Sequence, residues 1–221
     1  MPFNFSAMRR FPLVTLALAA LALLAAALPP AFTDALQFDR DAIARGELWR
    51  FLTAHLTHFG VSHLRWDVFA LLLLGTMAEG KSRRDWLAAL AVSAPAITLL
   101  VWALQPHFTH YRGLSGLDCA AYGVIVGHLF RDGLRARHHF TLALAVLAFA
   151  AALAKCAYEL ATGTAFFVGA TTAFAPVPLA HLAGVLTGAL VTMTPFLRQP
   201  ATRRRDGTVQ SATASRAPGS P

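Results

Sequence analysis

The stretch Tyr111-Arg112-Gly113-Leu114-Ser115-Gly116 sets a serine between two glycines, immediately before an apolar run over 117–130. A run of this composition predicts a buried helix that starts near the serine. Small residues recur at every fourth position of this segment: Ser115, Cys119, Gly123 and Gly127. Residues four apart lie on one face of a helix, so the pattern predicts a narrow face that begins at Ser115.

The downstream segment His181-Leu-Ala-Gly184-Val-Leu-Thr-Gly188 repeats this arrangement, with a histidine and two glycines on a single helical face. Small faces allow two membrane helices to approach closely, because helix association in lipid depends on packing rather than on a strong hydrophobic drive. If the two faces meet, Ser115 and His181 lie side by side at one membrane depth. A serine beside a histidine is a nucleophile beside its base, so the pair predicts covalent catalysis.

The composition indicates a polytopic membrane protein. Of 221 residues, 56% are hydrophobic and 14% are charged, with a mean hydropathy of +0.53, which is too apolar for an ordinary soluble domain. The net charge of +8 lies in short basic segments between apolar runs. This distribution favours a topological signal over a nucleic-acid surface, so the expected partner is the lipid bilayer and no nucleic acid. Cys119 and Cys156 both lie in predicted spans and imply no disulfide framework.

The hydrophobic pattern predicts one membrane domain over residues 11–197, between a short N-terminus (1–10) and a disordered basic tail (198–221). Within that domain the predicted spans are residues 11–28, 62–78, 86–104, 115–130, 140–161 and 179–197. A cleaved signal peptide is the alternative for the first span. The run is long for a signal peptide and five more spans follow, which favours a retained helix.

The basic residues predict which side of the membrane each loop faces. With six spans, the two ends of the chain and the turns at 79–85 and 131–139 carry 13 Lys and Arg residues, whereas the opposite loops carry four. The positive-inside rule therefore places both termini in the cytoplasm. Ser115 and His181 then both lie at the non-cytoplasmic ends of their helices.

A metal site is the alternative interpretation of the histidine-rich stretch that leads into the second span. The residues are His55, His58 and His63, whose spacing matches no zinc motif, and HExxH is absent. No metal is therefore predicted. His63 and Asp67 are four apart and share a face of the second span.

These motifs resemble the rhomboid family of intramembrane serine proteases. The family pattern of GxSG at the start of helix four and HxxGxxxG in helix six is similar to Gly113-Leu-Ser115-Gly116 and to the His181–Gly188 segment. The resemblance covers about residues 40–195 and includes Glu47-Leu-Trp49-Arg50 in the first loop. It implies an all-α membrane protein with a rhomboid-like bundle of six transmembrane helices. The strings RGLSG and AHLAG, with Lys155 and Glu159, most resemble the rhombosortase branch.

The resemblance also implies roles for individual residues. Ser115 is the expected nucleophile and His181 its base; no acid precedes His181 closely in the sequence, which favours a Ser-His dyad. The oxyanion is expected to bind backbone N–H groups of the Gly113–Gly116 turn, with help from His63. Asp67 stands where many rhomboids carry an asparagine, and an ionised carboxylate would repel an oxyanion. Asp67 is therefore expected to pair with Arg65 or another cation, or to be protonated.

Three charged residues lie inside predicted spans, where they are costly and often functional: Asp118, Lys155 and Glu159. The favoured interpretation is structural, with Lys155 paired to Glu159 or Asp118. The alternative is that these groups shape the site beneath Ser115. The glycines at 123, 127, 184 and 188 are predicted to serve helix packing in either case.

The sequence thus predicts an intramembrane serine endopeptidase of the bacterial inner membrane, without a cofactor, that cleaves a membrane-anchored protein near the non-cytoplasmic face. The rhombosortase resemblance implies substrates with a C-terminal Gly-Gly motif, a hydrophobic helix and a basic tail. The alternatives are a rhomboid-like pseudoprotease that binds membrane clients and a small transporter. Ser115 and His181 argue against the first, and the absence of clear inverted repeats argues against the second. The oligomeric state is left open.

The topology yields the first testable prediction. A reporter fused after Arg205 should lie in the cytoplasm, and one inserted within residues 162–178 should be exported, because of the 13-to-four basic asymmetry. Paired alkaline phosphatase and fluorescent-protein fusions measure this directly. If both positions report the same side, the six-span arrangement is wrong.

Overall fold

The computed structural model describes residues 11–164 and 177–197. The predicted N-terminal segment 1–10 and tail 198–221 lie outside the described residues, as does 165–176 of the predicted last loop. The helices are α1 Leu13–Ala27, α2 Pro30–Leu36, α3 Arg40–Ala44, α4 Arg50–Thr53, α5 Val61–Ala70, α6 Thr76–Lys81, α7 Arg83–Leu104, α8 Ser115–Ala136, α9 His139–Thr162 and α10 Pro178–Leu197. Two short strands, β1 Phe38–Asp39 and β2 His110–Tyr111, complete the fold.

The architecture is a bundle of apolar helices. Within the described residues, three helices are long and apolar enough to cross a membrane: Val61–Lys81, Arg83–Leu104 and His139–Thr162. The first joins α5 to α6 through a π-helical turn, Leu71–Gly75. Two further apolar helices, Leu13–Ala27 and Pro178–Thr194, are shorter. These elements fit the predicted membrane bundle, whereas the number of six spans stays a prediction.

The central helix α8 extends further than predicted, to Ala136 rather than to residue 130. It contacts α7, α9 and α10 as well as the α5–α6 segment. Its charged end stays helical because Arg and Leu are good helix formers, and leaving an apolar layer does not itself end a helix. The helix ends at Arg137, which adopts the left-handed conformation with φ 51°.

The two predicted small faces lie against each other. A Cβ at Gly184 would overlap the carbonyl oxygen of Gly116, and one at Gly188 would overlap that of Ala120. On the α8 side, a Cβ at Gly123 would overlap the Val185 carbonyl oxygen. The α8 and α10 backbones are therefore as close as glycine allows, which is the packing that small residues permit between membrane helices.

The segment before Ser115 is fixed by the long first loop, residues 29–61, which forms short helices rather than an irregular chain. Strand β1 pairs antiparallel with β2, with Phe38 opposite Tyr111. Arg112 donates to the Gln37 Oε1 atom at 2.7 Å and to Asp34 at 2.7 Å. These contacts hold residues 110–112, which lead into α8, against the first loop.

The loop itself is anchored by arginines that donate hydrogen bonds to backbone carbonyl groups. Arg50 pairs with Glu47 at 2.7 Å and donates to the Gln37 carbonyl at 2.7 Å. Arg40 donates to the carbonyls of Val101 and Gln105 at the C-terminal end of α7, in addition to the backbone N–H groups that these carbonyls accept from. The Trp49-Arg50 pair thus acts as a loop anchor.

At the opposite end of the bundle, Glu79 ties α1 to the α6–α7 turn. Its buried carboxylate accepts from the Thr15 backbone N–H at 2.9 Å and from Arg83 Nε at 2.8 Å. The carboxylate thereby accepts from N–H groups in the first turn of α1, where such groups have no intrahelical partner. Its negative charge also interacts favourably with the positive end of the helix dipole.

The close helix contact yields the second testable prediction. Gly123→Val should lower the free energy of unfolding by about 1–3 kcal/mol or more, because the new side chain meets the α10 backbone. The control is Gly80→Val, since a Cβ at Gly80 meets nothing within 4 Å. Thermal or denaturant unfolding in detergent measures both. Equal midpoints for the two variants would contradict the close α8–α10 contact.

Candidate active site

Ser115 is the first residue of α8, and the turn before it requires glycine. Gly113 has φ +125°, a left-handed conformation that side chains rarely adopt. A Cβ at this position would also lie 2.8 Å from His63 Nε2 and 3.0 Å from Asp67 Oδ2. Gly113 therefore lets the chain turn sharply against the second span and start a helix at the serine.

Asp67 holds this turn in place. Its Oδ2 atom accepts a hydrogen bond from the Leu114 backbone N–H at 2.8 Å. The same oxygen lies 3.3 Å from His58 Nε2 and 3.2 Å from His63 Nε2. Arg65, one of the predicted partners, is exposed. The partners of Asp67 are therefore a backbone donor and two histidines, and its carboxylate anchors the serine turn.

The structure brings Ser115 and His181 together. His181 Nε2 lies 3.1 Å from Ser115 Oγ, within hydrogen-bond distance. His181 sits in the first turn of α10 and is buried, whereas Ser115 is half-buried. The glycine contacts further along both helices set this separation, because they fix the distance between the two backbones.

The expectation that no acid orients His181 needs correction. Glu159 Oε2 lies 2.7 Å from His181 Nδ1, so an acid contacts the ring nitrogen that faces away from Ser115. The side chain is almost fully buried, with 2% exposure. The residues just before His181 do not include this acid, because Glu159 belongs to another helix, 22 positions earlier. The available signal was the cost of burying a charge in a span.

Lys155 completes this group. Its Nζ atom lies 2.7 Å from Glu159 Oε1 and 3.1 Å from His181 Nδ1. The predicted Lys155–Glu159 pair is thus present on one face of α9, and it lies at the histidine rather than apart from it. Asp118 is separate from the pair. It is buried, and within the described residues its Oδ1 atom has no hydrogen-bond partner and its carboxylate no ion pair.

These groups line a cavity of about 1000 Å³. Its wall is mainly hydrophobic, with the polar side chains Ser115, His181, Glu159, Lys155, Asp67 and Asp118 among the lining residues. A mostly apolar cavity with a few convergent polar groups is the common form of a substrate site. Predicted site residues from α5, α8, α9 and α10 therefore line the same cavity.

The start of α8 supplies backbone donors beside the serine. The N–H groups of Leu117 and Asp118 turn back to the Leu114 carbonyl at 2.7 and 2.9 Å, where the helical ladder begins. The amides of Ser115 and Gly116 precede that ladder and belong to the orphan donors of a helix N-terminus. His63, the other predicted donor, has its Nε2 atom at Asp67.

Two neutral rings support the loop beside the serine. Burial raises the pKa of the Tyr111 phenol, and the Asp67 carboxylate raises it further. The Tyr111 hydroxyl donates to the Gly113 carbonyl at 3.4 Å. Burial also lowers the pKa of His55, whose Nε2 atom lies 2.9 Å from the Ala94 carbonyl oxygen. Both rings stay uncharged at neutral pH, so they position backbone rather than supply charge.

Comparison with known proteins agrees with this arrangement. The family model described as the rhomboid domain matches residues 45–198, which is more than half of the chain. The chain therefore belongs to the rhomboid family. Members of this family are in general intramembrane serine proteases, which act on membrane proteins within the lipid bilayer.

A curated relative points the same way. The chain is 30% identical over 112 residues to the "Putative rhomboid protease YdcA" of Bacillus subtilis (strain 168). The match covers 49% of this chain and 55% of the relative, so the chain spans about half of that protein's length. Neither comparison separates the rhombosortase branch from other rhomboids, and that finer resemblance stays a prediction.

The contacts of Asp67 yield the third testable prediction. Asp67→Asn should keep substantial activity, because an amide oxygen still accepts the Leu114 N–H. Asp67→Leu leaves that buried donor unpaired, which costs about 1–3 kcal/mol and loosens the serine turn. Thermal unfolding measures the stability of each variant, and substrate cleavage measures its activity. Loss of cleavage in a normally folded Asp67→Asn variant would show instead that the charge itself is required.

Proposed function

We propose that this protein is an intramembrane serine endopeptidase that cleaves a membrane-anchored protein near the non-cytoplasmic face. The single observation that carries the proposal is the 3.1 Å separation between Ser115 Oγ and His181 Nε2 at a cavity between helices. A hydroxyl within reach of an imidazole nitrogen is the geometry of an activated nucleophile. Family membership supports the same activity.

In the proposed reaction, Ser115 Oγ attacks the carbonyl carbon of the scissile peptide bond while His181 Nε2 accepts the hydroxyl proton. The tetrahedral intermediate collapses as His181 gives that proton to the leaving amine, and the acyl group stays on Ser115. A water molecule then attacks the ester carbon and yields its proton to His181. That proton returns to Ser115 Oγ as the ester bond breaks, which restores the enzyme.

The developing oxyanion would be bound by the amides of Ser115 and Gly116. Both lie at the positive end of α8, whose dipole favours negative charge. His63 is proposed as a further support through its place beside the turn, 3.2 Å from Asp67. Asp67 acts on the oxyanion site indirectly, since its hydrogen bond to Leu114 N–H fixes the preceding residue.

We propose the bacterial inner membrane as the location, with both termini in the cytoplasm, on the basis of the basic-residue asymmetry. The proposed substrates carry a Gly-Gly junction before a hydrophobic C-terminal helix and a basic tail. The strings RGLSG and AHLAG around the two site residues support this choice through their rhombosortase resemblance. Small residues at the junction would let a substrate backbone reach a serine held between helices.

The fourth testable prediction concerns Ser115 and His181. Ser115→Ala and His181→Ala should each abolish cleavage while the protein stays folded, since alanine fits a small-residue face. A fluorophosphonate probe should label the wild type at Ser115 and label His181→Ala far more slowly, because the hydroxyl loses its base. The double variant should be about as inactive as either single one, because the two residues act as a unit.

Ser93→Ala is the matched control, since Ser93 is a buried helical serine whose hydroxyl contacts Thr187 Oγ1 at 2.6 Å, apart from the pair. It should keep cleavage and labelling at the wild-type level. Full processing of a membrane-anchored Gly-Gly substrate by purified Ser115→Ala protein would overturn the proposal. A client-binding pseudoprotease or a transporter would show no covalent labelling at Ser115.

A further inference from the structure

We propose that Glu159 is the positioning residue of a Ser-His-Glu triad, and that Lys155 pairs with the carboxylate oxygen that does not contact the histidine. This inference rests on the proposed protease function and goes beyond a two-residue mechanism. The acid contacts His181 rather than the substrate, so its effect on the reaction passes through the imidazole.

The geometry fixes which nitrogen of His181 carries the proton. Nε2 must accept from the Ser115 hydroxyl, 3.1 Å away, so the neutral ring carries its hydrogen on Nδ1. Glu159 Oε2, at 2.7 Å, accepts that Nδ1–H. The carboxylate therefore selects the tautomer that is able to act as a base. When Nε2 takes up the serine proton, the nearby negative charge stabilises the imidazolium without itself becoming protonated.

Glu159 is buried although most of α9 is not. Of the 24 residues of α9, three are buried, and Glu159 is one of them. A buried carboxylate is costly unless it is paired and hydrogen-bonded. An ion pair between Lys155 and Glu159 cannot by itself join two helices, because both residues belong to α9. At the site, α9 is linked to α10 by the contacts of Glu159 and Lys155 with His181.

Lys155 places a positive charge beside the Glu159 carboxylate in an apolar surrounding. Its ammonium lies 2.7 Å from Glu159 Oε1, the carboxylate oxygen that does not contact the histidine. The two oxygens of Glu159 thus have separate partners, one cation and one imidazole. Lys155 also lies 3.1 Å from His181 Nδ1, so its charge opposes imidazolium formation and limits the effect of the acid. The lysine and the acid are therefore expected to shift the pH dependence in opposite directions.

The fifth testable prediction uses purified full-length protein with two readouts, cleavage of a membrane-anchored reporter and the rate of fluorophosphonate labelling at Ser115. Glu159→Gln should lower both by about 10²- to 10⁴-fold, as removal of a triad acid does elsewhere. The acid limb of its pH–rate profile should move to lower pH, because a negative charge beside the base is lost. Lys155→Met should keep more activity and move the same limb to higher pH, whereas Lys155→Arg should restore the wild-type profile.

Glu79→Gln is the matched control for the loss of a buried acid. Like Glu159, Glu79 pairs with a basic residue four positions away, here Arg83 at 2.8 Å, and its side chain is fully buried. Glu79 lies where α1 meets the α6–α7 turn, apart from His181. Glu79→Gln should therefore lower thermal stability and leave the pH profile unchanged. A purely structural Glu159 would give this same result.

The double variant Glu159→Gln/Lys155→Met keeps the test decisive if Glu159→Gln alone does not fold, because it leaves no unpaired ammonium. Its labelling should remain slow. Wild-type labelling with an unchanged pH profile in either folded Glu159 variant would overturn the triad. Failure of Ser115 to label in the wild type would instead overturn the protease function, so the two failures are distinguishable.

Discussion

The site depends on the backbone contact between α8 and α10. Glycines at 123, 184 and 188 allow carbonyl oxygens of one helix to lie where a Cβ of the other would stand. Interiors are close-packed and transmit displacement, so a helix pair held at this separation has little freedom to shift. Ser115 and His181 are at the same end of the two helices, and their 3.1 Å separation follows from the contacts beneath them. The proposed roles of nucleophile and base need placement of this accuracy, because small misplacements of reacting groups cost large factors in rate.

A second constraint is the treatment of polar groups in an apolar bundle. Asp67, Glu79 and Glu159 are each buried, and each carboxylate is met by donors from outside its own turn. In each case the acid also joins separate segments: the second span to the serine turn, α6 to α1, and α9 to α10. Since an unpaired buried charge is costly, such contacts specify which segments meet as well as how strongly they hold. Asp118 differs, because one of its oxygens lacks a hydrogen-bond partner among the described residues although it lines the cavity.

Much of the fold followed from local pattern. The recurrence of small residues at about every fourth position predicted which faces of α8 and α10 meet. The apolar runs predicted most helix positions to within a few residues. The end of α8 was missed because the sequence changes from apolar to charged at Arg131, whereas the helix continues through good helix formers to Ala136. The partners of Asp67 were missed because His58 and the Leu114 amide reach it through tertiary contacts. Periodicity within one segment carries no information about the rotation of another segment against it.

Glu159 shows the same limit at the site itself. Its pairing with Lys155 is a property of one helix and could be predicted from the spacing of four. Its contact with His181 depends on how far α9 is rotated about its axis, and α9 offers no glycine face from which to infer that rotation. The intramembrane charges did indicate that α9 had something to pair with, since a helix that buries three of its 24 residues has little reason to bury an acid. The sequence did not indicate which group that partner is. In the proposed mechanism it is the His181 imidazole, whose Nδ1–H needs an acceptor such as this carboxylate.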